Sequence, residues 1–166
     1  IDSETSQQNV ERFLVDNHAK VVTTKEGNLF TLTVTKIDSE LARPDAQSYC
    51  TPANKPVHAV CINSAVMGAG NDELGAVLMK AFVNTIKDAS PLPSAITLYN
   101  GGIHLATDGS AVLEALKDLE RQGVRILVCG TCLDFYQKKS LLRVGTVSNM
   151  YDITQALTDA GHIIYP

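Results

Sequence analysis

From residue 57 onward, apolar residues gather into short runs that alternate with stretches of helical spacing. Val57-His58-Ala59-Val60-Cys61-Ile62-Asn63, Ala95-Ile96-Thr97-Leu98-Tyr99 and Val124-Arg125-Ile126-Leu127-Val128 each read as a buried strand. Between the first two, Leu74, Leu78, Phe82 and Ile86 recur every four residues and predict a helix over 73–87, capped by Asn71 or Asp72. Pro91 and Pro93 end that segment. Val112, Leu113, Leu116 and Leu119 predict a second helix, capped by Asp108 or Ser110 and stopped by Gly123. A third, short helix is expected over 133–139 and a last one over 150–160, stopped by Gly161 before a strand at 162–165. Such alternation predicts an α/β fold over 57–166: a doubly wound, mostly parallel sheet with helices on both faces.

The first 36 residues follow another pattern. Val10, Phe13 and Leu14 suit one helix face, and 21–24 and 29–34 read as strands around the turn Glu26-Gly27-Asn28. A helix with one hairpin is a partial α+β segment, too small to stand alone. Residues 37–56 carry Pro44 and Pro52, with Pro56 at their end, and no sustained periodicity, so they read as a linker. Cys50, inside it, is expected to be a solvated, incidental thiol.

Composition narrows the classes. The chain has 166 residues, 45% hydrophobic, with a net charge of −4 and pI near 5.5. That is enough apolar content for a core, and no run is long enough to span a membrane. An acidic chain with no Trp offers neither the charge nor the stacking platforms of a nucleic-acid binder. Four cysteines do not make a secreted disulfide scaffold, and they place the chain in a reducing cytoplasm.

In an open parallel sheet, ligands gather beyond the carboxyl ends of the strands. Glycine-bearing sequences fall there after successive strands: Gly68-Ala69-Gly70, Asn100-Gly101-Gly102 and Cys129-Gly130-Thr131-Cys132, with Gly145 to Asn149 preceding the last helix. Cys129 and Cys132 are the candidate catalytic residues. Gly68, Gly70, Asn100, Gly101, Gly130, Thr131 and Asn149 are the candidate lining for a substrate. Two thiols where a strand opens into a helix face outward-pointing N–H groups, which predicts a thiol pKa below the free value of about 8.5.

Rival readings of the same residues are weaker. Gly68 and Gly70 form half of a nucleotide fingerprint without its third glycine, so an ordinary strand-to-helix turn is expected. No second cysteine pair exists for a structural zinc, and no metal or other cofactor is expected. No proline lies between Pro93 and Pro166 to complete a thioredoxin-like site. His104 is expected to be an ordinary hydrogen-bonded residue, His58 and His162 lie at the opposite sheet edge, and Cys61 reads as core.

Gly70-Asn71-Asp72-Glu73-Leu74-Gly75, Tyr99-Asn100-Gly101-Gly102, Val128 to Asp134 and Val144 to Tyr151 together resemble the C-terminal DsrE-like domain of YedF-type proteins, in order across 57–166. Residues 1–36, through Asn9-Val10-Glu11-Arg12-Phe13, resemble the second half of a TusA/SirA domain. The resemblance implies a homo-oligomer that relays sulfur as a cysteine persulfide, or serves selenium metabolism, with sulfur-donor and acceptor proteins as partners. It places the carrier on Cys129, with Cys132 as an additional thiol. The Cys-Pro-x-Pro motif of TusA modules has no counterpart here, and the resemblance would put it upstream of Ile1. Two further readings stay open from the residues themselves: a noncatalytic module binding a small ligand or partner, and a dithiol redox protein.

Overall fold

A computed structural model describes residues 1, 4–16, 18–36 and 58–166. Cys50 and the whole of the 37–56 segment read as a linker lie outside them, as does Val57. The chain divides into two units, Ile1–Asn54 and Lys55–Pro166.

In the first unit, α1 (Glu4–Asp16) packs on a hairpin of β1 (Ala19–Glu26) and β2 (Leu29–Lys36). The strands are antiparallel, with Val21 opposite Val34 and Glu26 opposite Leu29, and Gly27 supplies the positive φ the turn needs. The expected helix face is corrected here. Val10 and Phe13 are exposed, whereas Gln7 is buried and Leu14 half-buried. The reason is polar: Gln7 donates to Glu11, and Glu11 also accepts from the Thr23 hydroxyl of β1 at 3.1 Å. The face turned to β1 thus carries a hydrogen-bond network where apolar contacts were expected.

The second unit runs β3 (Ala59–Ile62), α2 (Asp72–Ile86), β4 (Ala95–Leu98), a 3-10 turn (Asn100–Ala106), α3 (Leu113–Arg121), β5 (Arg125–Cys129), α4 (Gly130–Phe135), a second 3-10 turn (Lys139–Leu141), β6 (Thr146–Ser148), α5 (Met150–Thr158) and β7 (Ile163–Ile164). Its five strands lie in the order β6-β5-β4-β3-β7, and every neighbouring pair is parallel. The doubly wound α/β architecture follows from that order. Three connections step one way across the sheet, and α5 then carries the chain to the far side of β3.

Side chains alternate across this sheet. Val60, Ile62, Ile96, Leu98, Ile126 and Val128 enter one core with Met79 and Val83 of α2 and Leu116 and Leu119 of α3. The alternate positions Ala59, Cys61, Ala95 and Thr97 are small and buried, and α5 packs across β3, β4 and β5. Small residues on that face let a single helix approach.

Several expectations change at the level of register and boundaries. In α2 the buried residues are Gly75, Met79, Val83 and Ile86, while Leu74 and Leu78 are exposed. The inward face is rotated by one residue from the predicted stripe, because Gly75 sits against Val66 and the Met67 backbone, where a Cβ would already be tight at 3.0 Å. Residues 146–148, read as loop, form β6. The short helix begins at Gly130, so Cys132 lies inside its first turn.

Leu116 is fully buried between α3 and the sheet. Leu116→Ala is expected to cost about 2–5 kcal/mol in urea unfolding, seen as a lower midpoint with an unchanged slope.

Candidate functional site

The loops after β3, β4 and β5 meet at the carboxyl edge of the sheet. Gly102 makes this possible, since a Cβ there would overlap the carbonyl of Ile62. Gly101 likewise lies over the backbone of 63–65, where a Cβ would stand 3.7 Å from the Asn63 oxygen. Asn100, ahead of them, takes a φ of +47°, a conformation that asparagine tolerates better than most residues.

This turn presents the Asn100 N–H to the thiol of Cys132 at 3.1 Å. The Asn100 side chain is held in turn by the Tyr136 hydroxyl, which donates to Oδ1 at 3.1 Å. Tyr136 packs edge-on against His104, with ring centroids 4.8 Å apart, and against Phe135. Cys129 is buried at the end of β5, Cys132 is partly exposed, and both are free thiols. The two interact through their side chains.

The expected lowering of a thiol pKa is corrected at Cys132. Burial raises its pKa, hydrogen bonding with Cys129 adds to the rise, and the Asn100 N–H opposes it without reversing it. Desolvation penalises the thiolate more than the single Asn100 N–H can offset.

The remaining candidates have evident structural roles. Gly68 and Gly70 have positive φ and open surroundings, as an exposed turn before α2 requires. Gly130 is buried, where a Cβ would press on Val147 and the Ser148 carbonyl. Thr131 is exposed. Asn149 is buried and caps α5, accepting from the Asp152 N–H at 2.8 Å. The structure therefore brings Asn100 against the Cys129–Cys132 pair, with Gly130 and Thr131 between the two cysteines and Gly101 turned to the backbone of 63–65. It adds Tyr136, which no pattern of residues singles out. Cys61 is buried in β3, and the Tyr99 and Tyr165 phenols beside it are pushed up, Tyr99 first by burial and Tyr165 first by Cys61. Among the described residues, no group of three or more His, Cys, Asp or Glu side chains could hold a metal ion. No helix among them is long and apolar enough to cross a membrane.

The DsrE/DsrF-like family model matches residues 59–166, and the chain belongs to that family. Among solved structures, it is similar to a protein of unknown function from Methanobacterium thermoautotrophicum, with a TM-score of 0.50 and 22% identity, covering 67% of this chain and 99% of that one. It is similar also to the ychN protein from E. coli, with a TM-score of 0.51 and 15% identity, covering 66% and 99%. At those identities the likeness concerns the fold alone. No curated protein matches the chain.

Two outcomes are expected in site-resolved alkylation. Cys132 labels before the buried Cys129, and its rate keeps rising with pH beyond the range where a free thiol levels off, because its thiolate forms late. Tyr136→Phe, which frees the Asn100 side chain, is expected to slow Cys132 labelling at pH 8 by about 2- to 10-fold, the worth of one hydrogen bond.

Proposed function

We propose that this DsrE/DsrF-like chain carries sulfur, or selenium, as a persulfide-type adduct on its Cys129–Cys132 pair. The observation that carries the reading is a partly exposed Cys132 thiol, backed by the Asn100 N–H and adjacent to a second free thiol. In the step, a cysteine thiolate attacks the outer sulfur of a donor persulfide, forms a new S–S bond and releases the donor thiolate. The neighbouring thiol then discharges the cargo by forming a Cys129–Cys132 disulfide and expelling it as hydrosulfide, or an acceptor thiolate takes it directly. Family resemblance puts the carrier on Cys129. Exposure favours Cys132 as the thiol that meets the donor, with Cys129 resolving.

The finer reading is of a YedF-type protein. Residues 1–36 would be a partial TusA-like segment, 37–56 a linker and 57–166 the DsrE-like domain, acting in the cytoplasm between sulfur-donor and acceptor proteins without a cofactor. The helix-then-hairpin order of the first unit supports the TusA-like part. Homo-oligomerisation is supported by Leu74, Val77 and Leu78, an exposed apolar stripe on α2. The adjacency of two free thiols also favours one rival, dithiol redox cycling.

Treating the reduced protein with polysulfide and measuring intact mass separates the readings. A cyanide-labile gain of one sulfur, lost in Cys132→Ser or in Cys129→Ser, is the expected result and names the carrier. Loss of two hydrogens with no sulfur adduct at any time would replace the carrier with a redox dithiol. No change in any sample would leave a noncatalytic binding module.

A further inference from the structure

A cavity of about 400 Å³ opens between α2, the Asn100–Ala106 turn and the 107–112 loop. That volume lies in the range of small-molecule sites, roughly 300–1,000 Å³. Its floor is apolar and buried: Met79 from α2, Leu105 from the turn and Val112 from the loop before α3. Its lining also holds three nitrogen-bearing side chains from separate elements, Lys80, Lys138 and His104.

The state of the nearby charges decides what the cavity suits. Lys139 pairs with Asp134 at 3.5 Å, and Arg143 with Asp108 at 3.4 Å. The Asp108 carboxylate also lines the cavity, so the one acidic group there already has a cation. Among the described residues, no carboxylate pairs with Lys80 or Lys138. Two lysines without a carboxylate partner among the described residues thus share one void in a chain whose net charge is −4. Like charges brought to one cleft raise the local concentration of anions. An inorganic anion alone would leave the apolar floor wet and most of the volume unfilled.

We propose that this cavity binds a small organic anion, with its charged head between Lys80 and Lys138 and its apolar body on Met79, Leu105 and Val112. The head is a carboxylate or a phosphate monoester, which the two lysines recognise through the same chemistry. The site is distinct from the thiol pair and does not depend on the persulfide reading. The two are linked through His104, which lines the cavity and packs on Tyr136, the residue that holds the side chain of Asn100 beside Cys132.

The test is an amide-resolved NMR titration of the full chain with phenyl phosphate and with phenylacetate, using 2-phenylethanol as the neutral control. Saturable shifts at 76–80 and 104–112 are expected for at least one anion, weakened by salt and absent for the alcohol. The better of the two anions identifies the head. The Lys80→Gln/Lys138→Gln double variant, at exposed and half-buried positions, should keep the native spectrum and lose about tenfold or more in affinity. No saturable shift up to about 10 mM would overturn the site. So would equal binding of the alcohol, shifts centred elsewhere, or undiminished binding by the folded double variant.

Discussion

The thiol site depends on one close approach of backbone to backbone. Gly102 lies so near the Ile62 carbonyl that no side chain fits between them, and the Tyr99 N–H donates to that same carbonyl at 3.2 Å. Because the turn is clamped to the end of β3, Asn100 is forced into a left-handed conformation and its N–H is aimed from the end of β4 at Cys132, beyond the end of β5. A parallel sheet supplies such edges generically, but here glycine converts the edge into a positioned hydrogen-bond donor. Tyr136 completes the clamp from the other side by fixing the amide of Asn100.

How much of this was readable in the chain differs from element to element. Strands β3, β4 and β5 announce themselves because both faces are buried, so their apolar runs are nearly continuous. The three-residue β6 has one buried position and two exposed ones, a pattern that a loop shares. In α2 the apolar residues exceed what one face needs, so spacing alone left the buried face ambiguous by one residue. The glycine that decides the matter, Gly75, carries no hydrophobic signal. At the site, the thiol pair and Asn100-Gly101 were legible as a convergence of loops. Tyr136 was not, because its role comes from the fold bringing α4 beside the Asn100 turn. Asn149 is a buried cap, and a cap and a substrate contact leave the same trace in sequence.

The electrostatics of Cys132 also revise a rule of thumb. Position at a helix start favours a thiolate, but α4 is short and the thiol packs against the core. Desolvation wins, and Cys132 rests as a neutral thiol. A thiolate of raised pKa is scarcer but more nucleophilic once formed, and it departs less readily when its own sulfur bond is attacked. For a carrier, that combination favours holding cargo over spilling it. Release would then fall to a neighbouring thiol that arrives intramolecularly, and Cys129 is already in place.

The pairing of β7 with β3 has a consequence for how the second unit comes together. Ala59 and Val60 sit beside Ile163 and Ile164, so the pairing joins the first strand of the unit to the last, about a hundred residues later in the chain. Only two residues make that pairing. Closing so long a segment for so few bonds carries an entropic cost that the short strand alone cannot repay. The α5 helix repays it by bringing Ile153 and Ala156 onto the small-residue face of the sheet. Loop-closure entropy thus predicts that this edge assembles late, once the helix has docked. Until then β3 is a temporary sheet margin, with one side of its backbone available to solvent or to a neighbouring chain.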